Sequence, residues 1–240
     1  MKIIIGKDYE ETARKAAIIV INDIILNPEL VIGFATGDTP IGIYKELIQD
    51  YKMLKLDFSK VITFNLDEYY PIAKSNKQSY NNFMHENLFK YLNVDKNNIN
   101  IPNGETKDII KEIKEYEKKI KEKKIDLQIL GIGRNGHIGF NEPGSSFKSK
   151  TRVINLDEMT IQDNSRLFKD ISEVPRQAIT MGIQTIMSAK KIVMIASGKS
   201  KAEAIKNMVK GKIDESCPAS ILQKHKNMIL FLDKDAAGLI

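Results

Sequence analysis

Apolar residues recur along the chain in two alternating rhythms. Short apolar runs of strand length occur at Lys2–Ile5 (KIII), Leu30–Ala35 (LVIGFA), Val61–Asn65 (VITFN), Ile125–Leu130 (IDLQIL), Lys191–Ala196 (KIVMIA) and Asn227–Asp233 (NMILFLD), and predict buried strands. Arg152–Leu156 and Ala178–Met181 read as further extended segments, and Ile99–Ile101 as a short one. Between these runs the spacing becomes that of one helical face. Ala13, Ala16, Ala17, Val20, Ile21 and Ile24 predict a helix over Asp8–Leu26. Ile41–Tyr51, Thr106–Lys124, Asp157–Phe168 and Lys201–Lys210 read as helices too, as does Pro218–Gln223, a short one. Ser79–Leu92 is helical, with Tyr80, Phe83, Met84, Leu88 and Tyr91 at core spacing. Strands alternating with helices indicate βαβ units, hence an α/β protein with a largely parallel sheet. Without a repeat, low-complexity tract or linker, residues 1–240 are expected to form one domain.

Composition changes this picture little. Of 240 residues, 42% are hydrophobic and 28% charged, ordinary for a globular protein with ample chain for a core. The net charge of +6 raises the question of a nucleic-acid partner. The lysines, however, are interleaved with glutamates, as in Lys111–Lys124 (KEIKEYEKKIKEKK), the pattern of a solvated helical face with i,i+4 pairs. No nucleic acid is expected, and the excess charge amounts to mild steering of an anionic substrate. The single cysteine, Cys217, excludes a disulfide framework and a cysteine-based metal site. His85, His137 and His225 lie far apart without metal-ligand spacing, so no metal is expected, and His85, between core positions, reads as structural or exposed. No apolar run approaches the ~18–20 residues of a membrane span, and no signal peptide precedes the first strand. The expectation is a cytoplasmic protein with no membrane partner.

Candidate chemistry concentrates in Leu130–Ser146 (LGIGRNGHIGFNEPGSS), which follows a predicted strand. Five glycines let the backbone bend sharply and admit a ligand closely, and the segment carries His137, Asn141 and Glu142. It reads as an active-site loop at the C-terminal end of a strand, where open α/β sheets bind ligands. Gly131, Gly133 and Gly136 also fit a dinucleotide fingerprint, with Asp157 placed as a ribose-binding acid. That fingerprint needs a helix starting at its third glycine, and Gly139, Pro143 and Gly144 interrupt one. Ser197-Gly198-Lys199-Ser200 fails as a P-loop because Val193 stands where its first glycine is required. Thr36-Gly37-Asp38-Thr39-Pro40 links a strand to a helix N-terminus, either a capped turn or an anion site built from amides without intrahelical partners. Asp67 and Glu68, adjacent acids after a strand, read more readily as solvated turn residues than as catalytic ones.

GHIGFNEPGSS (Gly136–Ser146) resembles the signature loop of the glucosamine-6-phosphate deaminases, and FNLDEY (Phe64–Tyr69) is similar to their second signature. The resemblance runs from about Lys2 to Asp233. It implies a Rossmann-like doubly wound, mostly parallel sheet with helices on both faces, a few extra strands, and a small-molecule sugar phosphate as substrate. The implied reaction is aldose–ketose isomerisation of glucosamine 6-phosphate with loss of ammonia, giving fructose 6-phosphate, and needs no cofactor. An imidazole suits ring opening, which moves a proton from the O1 hydroxyl to the ring oxygen. The resemblance assigns that step to His137, supported by Glu142 and Asn135, and proton abstraction at C2 to Asp67. Many members have Asp where this chain has Asn135. The Thr36, Gly37, Asp38 and Thr39 loop, with Arg166 and Lys201, matches the phosphate contacts; Asp38 departs from the small residue expected there.

Two rivals share the implied fold: a 6-phosphogluconolactonase-type hydrolase and a non-catalytic sugar-phosphate sensor. Phe140–Pro143 after His137, and Tyr69 after Glu68, depart from the lactonase pattern. Monomer and homo-oligomer both remain open. Some longer family members are hexamers activated by N-acetylglucosamine 6-phosphate, bound by basic residues after the active-site loop and by a C-terminal tail. Arg152 and Ser145 match that site, Ile154 stands in place of its second basic residue, and the chain closes at Ile240, so hyperbolic kinetics are expected.

Overall fold

The computed structural model describes residues 1–156, 161–162, 165, 168 and 170–240. The chain runs β1 (Lys2–Ile5), α1 (Tyr9–Leu26), β2 (Val31–Phe34), α2 (Ile41–Leu54), β3 (Ile62–Asn65), β4 (Asp67–Tyr70), α3 (Tyr80–Asn87), β5 (Ile99–Asn100), α4 (Ile109–Lys123) and β6 (Leu127–Leu130). It continues with β7 (Arg152–Asn155), β8 (Gln177–Thr180), α5 (Ile183–Met187), β9 (Lys191–Ala196), α6 (Ala202–Lys210) and β10 (Met228–Leu232). Local chemistry explains the helix starts. Asp8 caps α1 by accepting from the Glu11 N–H at 2.9 Å, Ser79 caps α3 through Asn82, and Asp108 caps α4 through Lys111.

Seven strands form a parallel sheet in the order β1-β10-β9-β6-β2-β3-β5. The period of two divides each strand between the faces. Ile32, Phe34, Val193, Ile195 and Phe231 pack with α1 and α2, while Val31, Ile192, Met194, Leu230 and Leu232 pack with α4 and α6. This is the doubly wound α/β fold. Successive strands β2, β3 and β5 step outward one way and β6, β9 and β10 the other, so the winding reverses between neighbours β2 and β6. Ligands bind at such a reversal, beyond the strands' C-terminal ends.

A second, antiparallel sheet has the order β4-β8-β7. Leu66 couples the two sheets, its N–H donating to Phe34 O and its carbonyl accepting from Met181 N–H. Beneath this sheet, Tyr69, Ile72, Phe140, Val174 and Ala178 form a separate apolar cluster.

Three expectations need correction. Asp67–Tyr70 is strand β4, not a turn, and both acids are buried, Asp67 at 4% and Glu68 at 2% exposure. The helix expected over Ser79–Leu92 ends at Asn87, a 3-10 turn covers Phe89–Tyr91, and Tyr91 is exposed rather than core. Helix α5 had no periodic signal, being five residues long. The helix predicted over Asp157–Phe168 falls largely outside the described residues. His85 is exposed, as anticipated. The lysine-rich α4 buries Tyr116 and Ile120 and carries Lys111–Glu115 and Lys118–Glu122 pairs on its outer side. Among the described residues no helix is long and apolar enough to cross a membrane.

Candidate active site

The loop after β6 folds back on itself instead of starting a helix: the Gly133 N–H donates to His137 O at 2.9 Å and the Gly136 N–H to Gly133 O at 3.1 Å. The imidazole of His137 lies against Gly133, where a Cβ would fall 2.3–2.5 Å from three ring atoms. A side chain at this position would displace the ring. Nδ1 of His137 is 3.1 Å from both carboxylate oxygens of Glu142. Asn135 completes the set, donating from Nδ2 to Glu142 Oε2 at 2.7 Å and accepting the His137 N–H at 3.2 Å. A proton on Nδ1 facing the carboxylate leaves Nε2 as the ring's acceptor. Asn135 therefore acts on Glu142 and on the backbone, not on the ring. Its own backbone is not left-handed; that conformation belongs to Gly136, at φ 85°.

The far side of the loop is tied to the second sheet. Buried Asn141 donates to Ile138 O and Met181 O, both at 2.8 Å, and accepts from Arg152 Nη1 at 2.8 Å. Arg152 Nη2 reaches Ser145 Oγ at 3.4 Å, and burial lowers the pKa of the guanidinium.

Asp67 opens β4 and stands in register with Thr180 of β8. Gly139 and Phe140 cover it. A Cβ on Gly139, whose φ is 56°, would lie 3.1 Å from Asp67 Oδ2. Burial, reinforced by the charge of Glu68, pushes Asp67 up to about 8, while a hydrogen bond from the Phe140 N–H acts the other way. Glu68 points to α3 instead. Its carboxylate accepts the N–H groups of Tyr69, Tyr80 and Asn81 at 2.8–2.9 Å, a favourable place for an anion at a helix N-terminus. Burial outweighs those bonds and raises Glu68 to about 7.

Tyr80, held by this clamp, joins two parts of the site. Its ring stacks on Phe140 at 5.9 Å with 8° between planes, and its hydroxyl faces the side chain of Thr36. Thr36, Gly37, Asp38 and Thr39 follow β2 directly across from the His137 loop. The first amides of α2, expected to supply an anion site, are already used. Ile41 donates to Asp38 O, and Gly42 donates to the Tyr9 hydroxyl at 2.7 Å. The Gly37 and Thr39 N–H groups engage no partner among the described residues. Asp38 is exposed. Lys201 ends a 3-10 turn after β9, neighbour of β6, at the same edge of the sheet. Arg166 lies outside the described residues.

A family model for glucosamine-6-phosphate isomerases and 6-phosphogluconolactonases matches residues 8–231. The chain belongs to that family. Within it, glucosamine-6-phosphate deaminases of Clostridium novyi (strain NT) and Clostridium botulinum (strain Kyoto / Type A2) are 58% and 55% identical over 239 residues. The alignments cover 99% of this chain and 99% and 98% of those proteins. A solved structure described as a monomeric glucosamine-6-phosphate deaminase matches with a TM-score of 0.97 at 44% identity, over 100% of each chain. The 6-phosphogluconolactonase of Trypanosoma brucei matches with a TM-score of 0.81 at 18% identity, over 99% of this chain and 97% of that one, a likeness in fold alone.

Several residues that shape this isomerase-family site carried no recognisable signal. Glu68 looked like a surface acid, Tyr80 like an ordinary core position, and Thr180 sits in a strand far away in sequence. Strand alternation around Asp67 is the one local pattern that bore on them, since it separates Asp67 and Glu68 onto opposite faces.

Proposed function

We propose that the protein converts glucosamine 6-phosphate to fructose 6-phosphate and ammonia. The observation that carries this reading is the hydrogen-bonded set of His137, Glu142 and Asn135 on the loop that also covers the buried Asp67. The full-length deaminase relatives support it. The loop amides of Thr36–Thr39, with Lys201 and Arg166, hold the phosphate; Arg contributes bidentate contacts and Lys a point charge. Nε2 of His137 takes the proton of the O1 hydroxyl and returns it to the ring oxygen as the C1–O5 bond breaks. Glu142 steadies the imidazolium between these events. The exposed aldehyde acidifies C2–H, Asp67 removes that proton, and an enolamine forms across C1 and C2. Return of the proton to C1 gives a C2 imine. Water adds to it and ammonia leaves. Electrons stay within the substrate.

The test is ammonia release from glucosamine 6-phosphate measured beside hydrolysis of 6-phosphogluconolactone. Ammonia with no lactone hydrolysis is expected. Lactone hydrolysis without ammonia would overturn the reading in favour of a hydrolase, and tight binding with neither turnover in favour of a sensor.

A further inference from the structure

Asp67 and Thr180 are register partners, and their side chains converge beside Gly139: a Cβ there would be 3.1 Å from Asp67 Oδ2 and 3.2 Å from Thr180 Oγ1. The next N–H along the loop, that of Phe140, faces both. It donates to Thr180 Oγ1 at 3.2 Å and also faces the Asp67 carboxylate, whose charged form it favours. For a carboxylate opposed by burial and by Glu68, this N–H is the stabilising contact, and Thr180 draws on it too. The Thr180 hydroxyl proton is directed to Met181 O at 3.4 Å, so Thr180 meets the Phe140 N–H as an acceptor.

We propose that Thr180 is a positioning residue that tunes the base Asp67 by holding a share of the Phe140 N–H. An N–H divided between two acceptors stabilises each less than an undivided one. Weaker support for the carboxylate makes it a stronger base toward C2–H. This inference rests on Asp67 being the base in the proposed reaction.

The other charged or titratable groups around Asp67 are fixed independently of Thr180. Glu68 lies on the same strand and is clamped by α3. Tyr80 of α3 and Tyr116 of α4 both sense the charge of Asp67, and burial keeps both neutral by raising them well above the usual phenol range. Arg152, Thr180's other register partner, is held by Asn141 and Ser145. His137 is engaged with Glu142 on the same loop.

The experiment follows the Asp67 carboxyl carbon by 13C NMR titration of the free protein, the resonance being assigned by its loss in Asp67→Asn. Thr180→Val keeps the shape and removes the acceptor, so the whole N–H passes to Asp67. Its titration midpoint should fall by about 0.5–1 pH unit, while Thr180→Ser should titrate like the parent protein. The acid limb of kcat/KM should move to lower pH in step. An unchanged or raised midpoint in Thr180→Val overturns the proposal. Should the valine variant not fold, Thr180→Ala is read the same way. The titration needs no turnover, so a failure of the proposed reaction would show in the ammonia assay and leave this result standing.

Discussion

Burial and reactivity oppose one another at Asp67. Asp67 is 4% exposed, and its carboxyl is pushed from 3.8 up to about 8, first by burial and then by Glu68. A base must be ionised, so kcat/KM should rise with pH through about 8. Stability runs the other way. A folded-state value above the unfolded one favours the protonated fold, so this contribution is complete below 3.8 and is lost as pH rises through about 8. Asp67→Asn resembles the protonated form permanently. It should abolish ammonia release yet raise Tm, by about 3 °C or more near pH 8.5 and by less near pH 5, as calorimetry would register. A lower Tm at alkaline pH would show that the carboxylate is better solvated than its burial implies. Gly139 tests the space above this base. Gly139→Ala should fold, at a cost of about 1–3 kcal/mol for the left-handed backbone, but lose at least about tenfold in kcat because its methyl group crowds Asp67 Oδ2. Near-normal kcat would mean that the loop relaxes freely.

The His137 loop was legible as a candidate site because its parts are contiguous: Asn135, His137 and Glu142 meet across one turn with no distant element needed. Elements joined over long stretches of chain were not. Strand β4 escaped because two adjacent acids mask an apolar pattern, and they can be buried only because β8, about 110 residues on, supplies the pairing partner. The Gly42 amide of α2 is likewise engaged from a distance, by the Tyr9 hydroxyl of α1. Glu68 shows what such tertiary links do. It anchors the first turn of α3, and through Tyr80 that turn reaches both Thr36 and Phe140. In Glu68→Gln one oxygen still accepts, but the NH2 group in place of the other faces the Asn81 N–H, from which it cannot accept. Urea unfolding should report a loss of about 2 kcal/mol. KM for glucosamine 6-phosphate should rise more than kcat falls, because Thr36 loses its support while His137 and Glu142 keep theirs. If stability drops with KM unchanged, α3 is scaffold only and does not position the phosphate loop.

The winding of the whole sheet brings the parts together, since reversal between β2 and β6 sets the Thr36–Thr39 loop opposite the His137 loop without any contact specified locally in sequence. The same view bears on regulation. An effector shifts activity only if it binds two global states with different affinity. In the family's activated members a phosphate-bearing effector is met by two cations after the active-site loop. Here Arg152 stands at the first position, and it is already bonded to Asn141 and Ser145 within its own chain. The second position is Ile154 in strand β7, which packs against the apolar cluster of Tyr69 and Phe140 instead of presenting a charge. Losing one charge-assisted contact alone weakens binding by roughly 1.5–3 kcal/mol, about ten- to a hundredfold. Rearranging Arg152 toward an effector would also break its bond to Asn141, which holds the loop carrying His137. An anion drawn to this face would thus disturb the active loop and could not stabilise a more active state. Saturation with glucosamine 6-phosphate should accordingly be hyperbolic, and millimolar N-acetylglucosamine 6-phosphate should leave kcat and KM unchanged or inhibit. Steady-state kinetics with and without the effector decide it: a sigmoidal curve that the effector turns hyperbolic would refute the claim and require a cation from elsewhere to replace the one missing at Ile154.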